Sequence, residues 1–408
     1  MPDQDSAAPF HLLTFTTLYP HAAAPTQGVF VENRLRHLLA SGAARATVLA
    51  PVPWFPFRAE RFGRWAVAAR APAEETRHGI RVLHPRFAAI PRLGMTLAPF
   101  LLYHAMRPVL RRLRAAGARF DAIDAHYLYP DGVAAVRLAR AAGLPVVLTA
   151  RGSDVTQIAA TYPGPRRRIL EAARAADAMI TVSAALRDDL IGLGAPAEKI
   201  VVLRNGVDTS LFRPPSDTAA RAAARAALGL SGPTLLSVGH LIPRKGHEKI
   251  VAALTDLPDH TLLIAGGGEG EAALRAEIAR RGLSARVRLL GIVPHAELPA
   301  LYAAADALVL ASSREGWANV LLEAMACGTP VIASNIPGNP EVVRAPEAGL
   351  ILDANTPEGI VRAVRRLAAA PPDRAATRAY AERFGWEETT AGQVALFRRV
   401  IAARRAAG

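Results

Sequence analysis

Short apolar runs alternate with Ala-, Leu- and Arg-rich stretches of helical period along most of the chain, the pattern that βαβ units leave in a sequence. In the first half HLLTFTTLY, ATVLAPV, AIDAHYL, PVVLTA and AMITVS read as strands, and KIVVLRN closes the series. Several of these runs are apolar at nearly every position, which suits parallel strands covered on both faces and not a sheet with one wet face. Helical stretches lie between them, around residues 31–39, 132–142 and 166–176. The second half follows the same scheme with TLLSVGH, HTLLIAG, RVRLLG, ALVLAS and PVIAS. The architecture recurs although the sequence does not. The predicted class is α/β, with two Rossmann-like, doubly wound parallel-sheet domains.

The break between the halves is marked by composition. After Asn205-Gly206-Val207-Asp208 comes a Pro- and Ala-rich passage, LFRPPSDTAARAAARAALGLSGP, with the character of a connector. It sets the expected boundary near residue 210, dividing an N-terminal domain (1–210) from a C-terminal one (211–385). Residues 386–408 read as a final helix that returns to the N-terminal domain.

Length agrees with two cores, because 408 residues with 51% hydrophobic content exceed what one ordinary domain holds. The single cysteine, Cys327, has no partner for an internal disulfide, and no basic segment followed by an apolar one opens the chain. No run reaches about 18 apolar residues, so the expectation is a cytoplasmic protein without a membrane span. Lys and Arg exceed Asp and Glu by 49 to 35, a net +14 that favours anionic partners and equally reflects an Ala- and Arg-rich composition. Nucleic acid is disfavoured, since the chain has neither zinc-finger spacing, nor a basic region with heptads, nor an aromatic RNA-binding signature.

One apolar segment stands apart. LGMTLAPFLLYHAM, residues 93–106, is preceded by Arg86 and Arg92 and followed by Arg107, Arg111, Arg112 and Arg114. It is too short to span a bilayer. Two readings remain open: a buried helix of the first domain, or a helix lying against an anionic membrane surface at its inner face.

The densest chemistry lies in ALVLASSREGWANVLLEAMACGTPVIAS, residues 307–334. A buried strand runs into a turn, and a helix is predicted over 318–326. That places the backbone N–H groups of Gly316, Trp317, Ala318, Asn319 and Val320 at a helix start, where unpaired donors and the helix dipole favour phosphate. Glu315 precedes the turn and Glu323 follows in the helix, roughly 12 Å further on at the helical rise. Such a pair brackets a sugar-diphosphate-ribose, with Glu323 accepting from ribose hydroxyls and Glu315 from hydroxyls of the sugar.

These two glutamates, with seven residues between them, resemble the signature of the family 4 glycosyltransferases. The likeness extends over essentially the whole chain through YPHAAAPTQGVFVENRLRHLLASG, HYLYPDG, TARGSD, VVLRNGVD, SVGHLIPRKG, LLIAGGGEGE and LLGIVPHAELPALYAAAD. The resemblance implies the GT-B fold, its two domains facing each other across a cleft. It implies retention of configuration and a nucleotide-diphosphate sugar as co-substrate, with no other cofactor. Neither His-plus-carboxylate metal spacing nor an Asp-x-Asp pair after a strand occurs, so catalysis without a bound metal is expected. HYLYPDG with EGWANVLLEAM is similar to members that assemble teichuronic acid or other surface polysaccharides, which implies a glycan or lipid-linked acceptor. A nucleotide-sugar epimerase of the same fold, or a non-catalytic binding subunit, is the alternative.

Further residues take their expected roles from the same resemblance and their chemistry. Lys245 and Arg244 clamp the donor diphosphate, or form a solvated basic turn. His240 stands where the family usually has an Arg, so Arg244 shares its task. Val293 contacts the base through its backbone, or simply packs in the core. Gly28 lets the first loop approach the donor closely, or is an ordinary helix-start glycine. His126, at a strand end, faces the cleft or serves structure. Arg151 replaces a common His; it has donors and no acceptor, so it steadies charge or binds an anionic group, with a salt bridge to Asp154 as the structural alternative. The run Gly266-Gly267-Gly268-Glu269-Gly270 is followed by Glu271 where a dinucleotide turn needs a small residue, which speaks against hydride transfer.

Overall fold

The computed structural model describes residues 8–89 and 94–407. The chain forms two compact units, Met1–Arg204 with Glu387–Gly408, and Asn205–Trp386.

The first unit contains β1 (Phe10–Phe15), β2 (Ala44–Leu49), β3 (Val52–Pro53), β4 (Glu74–Arg77), β5 (Ile80–Leu83), β6 (Arg86–Phe87), β7 (Ala122–His126), β8 (Val146–Ala150), β9 (Ala178–Thr181) and β10 (Ile200–Val202). Its main sheet has the order β10-β9-β8-β7-β1-β2-β5-β4. Every pairing is parallel except that of the edge strand β4 with β5. β7, β8 and β9 are buried at every position, as strands covered by helices on both faces must be. The order reverses between β1 and β7, and in open α/β sheets ligands bind at the carboxyl ends of the strands beside such a reversal.

The last helix, Glu387–Ala406, buries Leu396, Phe397, Val400 and Ile401 against Phe10, Leu12, Val147 and Ile180. Each such side chain contributes roughly 1.5–3 kcal/mol when fully buried, which fastens this helix to the first unit. The apolar segment belongs to a longer helix, Gly94–Ala115. Leu102, Met106, Leu110 and Leu113 form its buried face, while Met95, Leu97 and Phe100 are exposed. The helix therefore carries both an inward face and an uncovered apolar one. Arg92 and Leu93 lie outside the described residues.

The second unit contains β11 (Thr234–Val238), β12 (Thr261–Ala265), β13 (Val287–Gly291), β14 (Ala307–Leu310), β15 (Val331–Ala333) and β16 (Gly349–Ile351). They form one parallel sheet of order β13-β12-β11-β14-β15-β16, the doubly wound arrangement, with its reversal between β11 and β14. The passage expected to be a connector is part of this unit and contains the helix Thr218–Ala227. Asp217 caps it through the Ala220 N–H, and Arg221 and Arg225 both reach Asp306. Among the described residues no helix is long and apolar enough to cross a membrane.

Candidate functional site

The loops leaving β11 and β14 meet at the strand-order reversal of the second unit. After β11 the chain turns through Gly246, which has φ +69°, and a Cβ there would stand 2.2 Å from the Ala311 carbonyl oxygen. Only glycine lets the loop lie on the end of β14. The Ser313 N–H donates to the Arg244 carbonyl at 2.8 Å and ties the two loops together. The result is a compact charge cluster. Glu315 Oε1 accepts from Lys245 Nζ at 2.6 Å and from Ser312 Oγ at 2.7 Å. Arg244 Nη1 lies 3.5 Å from Glu315 Oε2 and donates to the Arg314 carbonyl at 2.8 Å.

The Glu315 side chain is 10% exposed. Burial alone raises its carboxyl, but the Lys245 ammonium, with Arg244 and Ser312, outweighs this and holds it below the ordinary glutamate value. Sequence reasoning assigned Glu315 to the sugar and Lys245 to the diphosphate as separate contacts; here they are partners of each other. His240 is exposed on the same loop, while Arg244 stands beside Glu315. His247, which the sequence did not single out, is buried against Ser237 at 3.0 Å, and burial pulls its imidazole down to about 4.

The helix after β14 runs Asn319–Ala326 and has no side-chain cap. The amides of its first turn therefore depend on something other than a capping side chain, which suits an anion. Gly316, Trp317 and Ala318 are buried just before it, and Asn319 and Val320 open it half-buried. The Trp317 indole donates to the Asn205 carbonyl at 3.0 Å, so its side chain anchors the turn and leaves only its backbone for a ligand.

Glu323, in the same helix, accepts from the Tyr302 hydroxyl at 2.7 Å, and His295 Nε2 lies 3.2 Å from its other oxygen. Burial, reinforced by the Glu323 charge, drives the Tyr302 hydroxyl well above its usual pKa and so keeps it a donor. A carboxylate has acceptor capacity beyond these two contacts. Val293 is half-buried two residues beyond the end of β13, next to the exposed Ile292. Ser312, Tyr302 and His295 were not singled out from sequence, although all three lie within motifs quoted above. Among the described residues no group of three or more His, Cys, Asp or Glu is placed to hold a metal ion.

In the first unit His126 and Arg151 are brought together. Arg151 Nη2 lies 2.7 Å from His126 Nδ1, and His126 Nε2 lies 3.0 Å from Asp124 Oδ2. Asp154 instead accepts from the backbone N–H groups of Leu128, Gly152 and Arg151 at 2.8, 2.8 and 3.1 Å, so it shapes the loop around Arg151. The Arg151 guanidinium lies over the Phe30 ring at 5.3 Å. Between His126 and this loop, Tyr127 has φ +78°, a conformation non-glycine residues rarely adopt, and its hydroxyl meets Ser153 at 2.8 Å.

Gly28 has φ +68°, and a Cβ there would stand 2.2 Å from the Leu18 carbonyl oxygen. Its lack of a side chain thus serves the packing of the loop after β1 on the start of helix Val29–Ala40. Asp131 fastens the same loop through the Thr17 N–H and hydroxyl at 2.8 and 2.9 Å. Burial nevertheless pushes its carboxyl up to about 7.

Two Rossmann-like units, each with a loop cluster at its strand-order reversal, match the GT-B fold. Solved structures agree on the fold. Sucrose-phosphate synthase from Thermosynechococcus elongatus superposes with a TM-score of 0.79 at 23% identity, covering 97% of this chain and 100% of that one. The Anabaena HepE structure in complex with UDP and glucose gives 0.70 at 22% identity, covering 94% and 98%. Residues 27–211 match the family described as Glycosyltransferase Family 4, and residues 221–384 match Glycosyl transferases group 1.

D-inositol 3-phosphate glycosyltransferase of Xylanimonas cellulosilytica is 31% identical over 369 residues, 85% of this chain and 88% of the relative. Its namesake in Acidothermus cellulolyticus is 33% identical over 324 residues, 72% and 71% of the two chains. The chain belongs to the group 1, family 4 glycosyltransferases and is an enzyme of that class. These relatives are named for inositol 3-phosphate, not for the teichuronic acid assembly that the sequence motifs resembled.

Proposed function

We propose that the enzyme moves a sugar, with retention of configuration, from a nucleotide-diphosphate donor held by the second unit to a hydroxyl of an acceptor held by the first. The observation that carries this reading is the cluster of Glu315, Lys245, Arg244 and Ser312 beside an uncapped helix start at the strand-order reversal. Cations and helix amides there would stabilise the negative charge of a departing diphosphate, and Glu323, fixed by Tyr302, would take the ribose. With Lys245 and Arg244 in that role, transfer proceeds without a divalent metal. EDTA should leave the rate unchanged; its abolition by EDTA and restoration by manganese or magnesium would contradict this.

The acceptor carries an anionic group. Arg151 supports this on the first unit, and the inositol 3-phosphate relatives support it by name. A panel of nucleotide sugars, read first by thermal shift and then by transfer to inositol phosphates and to lipid-linked sugars, tests the reading. A nucleotide sugar that stabilises the protein and is consumed only with acceptor supports it. Consumption without any acceptor would indicate an epimerase or hydrolase instead.

A lipid-linked acceptor, as in surface-polysaccharide or glycolipid synthesis at the inner face of a membrane, is the second form of this reading. The exposed Met95, Leu97 and Phe100 support it, together with the neighbouring segment 54–65. There Trp54 is 59% and Phe57 54% exposed, and Arg58, Arg61 and Arg64 follow them in the sequence, all three exposed. The pairing of β3 with β6 sets the start of this segment beside Arg86 and Phe87, and the Trp54 N–H donates to the Phe87 carbonyl at 2.8 Å. Exposed aromatic rings with arginines near them in the sequence suit the headgroup region of an anionic bilayer.

A further inference from the structure

We propose that Asp124 and His126 are positioning residues that set the Arg151 guanidinium in one orientation for an anionic group of a substrate, His126 acting as a hydrogen-bond acceptor and not as a base. The inference rests on the anion-binding role given to Arg151 above.

The order of protons follows from donor chemistry. A guanidinium donates and never accepts. The His126 Nδ1 that lies 2.7 Å from Arg151 Nη2 is therefore the lone-pair nitrogen, and the ring proton sits on Nε2, from which it is donated to Asp124 Oδ2 at 3.0 Å. Asp124 thereby selects the tautomer that Arg151 needs.

The fold makes this geometry unavoidable. Asp124 and His126 are two residues apart on β7 and point to the same face. His126 pairs with Thr149 on β8, so Arg151 emerges just past the end of the neighbouring strand. Phe30 closes the flat side of the guanidinium. His126 and Asp124 are each 1% exposed.

Burial favours a neutral ring and pulls the imidazole down to about 4; Asp124 opposes this and Arg151 reinforces it. A neutral, buried imidazole with both nitrogens used inside the protein has no lone pair for an acceptor hydroxyl. Its effect on the reaction passes through Arg151, a link that neither a solvent-facing base nor a plain core histidine would have.

The test has a spectroscopic and a kinetic arm, both on the full chain. In protein labelled with 15N-histidine, His126 at pH 7 should be neutral with the proton on Nε2, and Arg151→Ala should turn it into a mixture of tautomers. A protonated ring, or a proton on Nδ1, overturns the proposal.

With a nucleotide sugar and acceptor that turn over in the panel, His126→Leu should lower kcat/KM roughly a hundredfold, the scale of a misplaced contact group. It should cost nothing further in the Arg151→Ala background. His126→Asn, which keeps an acceptor near the Nδ1 position, should recover most of the loss at an unchanged Tm. An undiminished extra loss in the Arg151→Ala background overturns the coupling. Wild-type rates in Arg151→Ala, with the tautomer as expected, would instead remove the substrate role of Arg151 and leave the positioning chain standing.

Discussion

Lys245 Nζ lies 2.6 Å from Glu315 Oε1 across the junction of the loops that leave β11 and β14. The pair joins the two segments that flank the strand-order reversal, and it is largely withdrawn from solvent. Removing one member of such a pair strands the other in a poorly solvated place, a loss of about 3 kcal/mol in similar settings. Glu315→Gln and Lys245→Met should each lower unfolding stability by roughly 2–3 kcal/mol, and the double variant should lose clearly less than the sum. Urea unfolding measures this, and strict additivity would show that the two do not act as a unit.

Acid should loosen the protein through its buried histidines, while Asp131, whose carboxyl burial raises to about 7, adds stability over the same range and opposes them. His126 and His247 are drawn to about 4, chiefly by burial, from an ordinary value near 6.5. A group whose folded pKa is depressed contributes stability that is complete above its unfolded pKa and is lost as pH falls toward the folded one. These two histidines should therefore pull Tm down between pH 6.5 and 4, against the opposing contribution of Asp131. His247→Gln should flatten that slope, and an unchanged slope would remove His247 from this account.

With Glu323 taking the ribose as proposed, Tyr302 would reach the donor through it. Its hydroxyl donates to the Glu323 carboxylate at 2.7 Å, a contact to a charged group with a net value of about 1.5–3 kcal/mol. Tyr302→Phe should raise the donor KM about tenfold or more with kcat little changed. A drop in kcat at constant KM would place Glu323 at the reacting sugar and not at the ribose.

The aromatic and arginine surface of the first unit should bind vesicles of mixed neutral and anionic lipid. Trp54 emission should shift to the blue on binding, and salt should reverse it. Trp54→Ala with Phe57→Ala should weaken co-sedimentation, as should Arg58, Arg61 and Arg64 changed together to Gln. No binding at low salt would leave this surface without a membrane role.

The parallel strands were legible because burial on both faces leaves uninterrupted apolar runs, as in PVVLTA and TLLSVGH. The antiparallel edge was not legible. β4 and β5 carry Glu74, Glu75, Arg77 and Arg81 in a half-wet alternation, joined at His78 and Gly79, which both have positive φ. The three-residue β16 was also not read; it is only partly buried, unlike the fully buried β15 of equal length.

In the candidate site the Glu315–Glu323 spacing and the helix start could be read directly, since both lie in one continuous segment. Their partners could not. A Tyr within LPALYAAAD has the look of core, and only the packing of helix Leu298–Ala304 near helix Asn319–Ala326 brings its hydroxyl to Glu323. His126 and Arg151 were each readable as positions, but their bond depends on β7 and β8 being neighbours in the sheet.

The central claim is that Glu315 and Glu323 hold two ends of one nucleotide-sugar donor. Steady-state kinetics of Glu315→Ala and Glu323→Ala, with Tm recorded for each, test it most directly. The account predicts that Glu323→Ala chiefly raises the donor KM while Glu315→Ala chiefly lowers kcat, each by at least tenfold. Near-normal kinetics in both folded variants would contradict the assignment of the site.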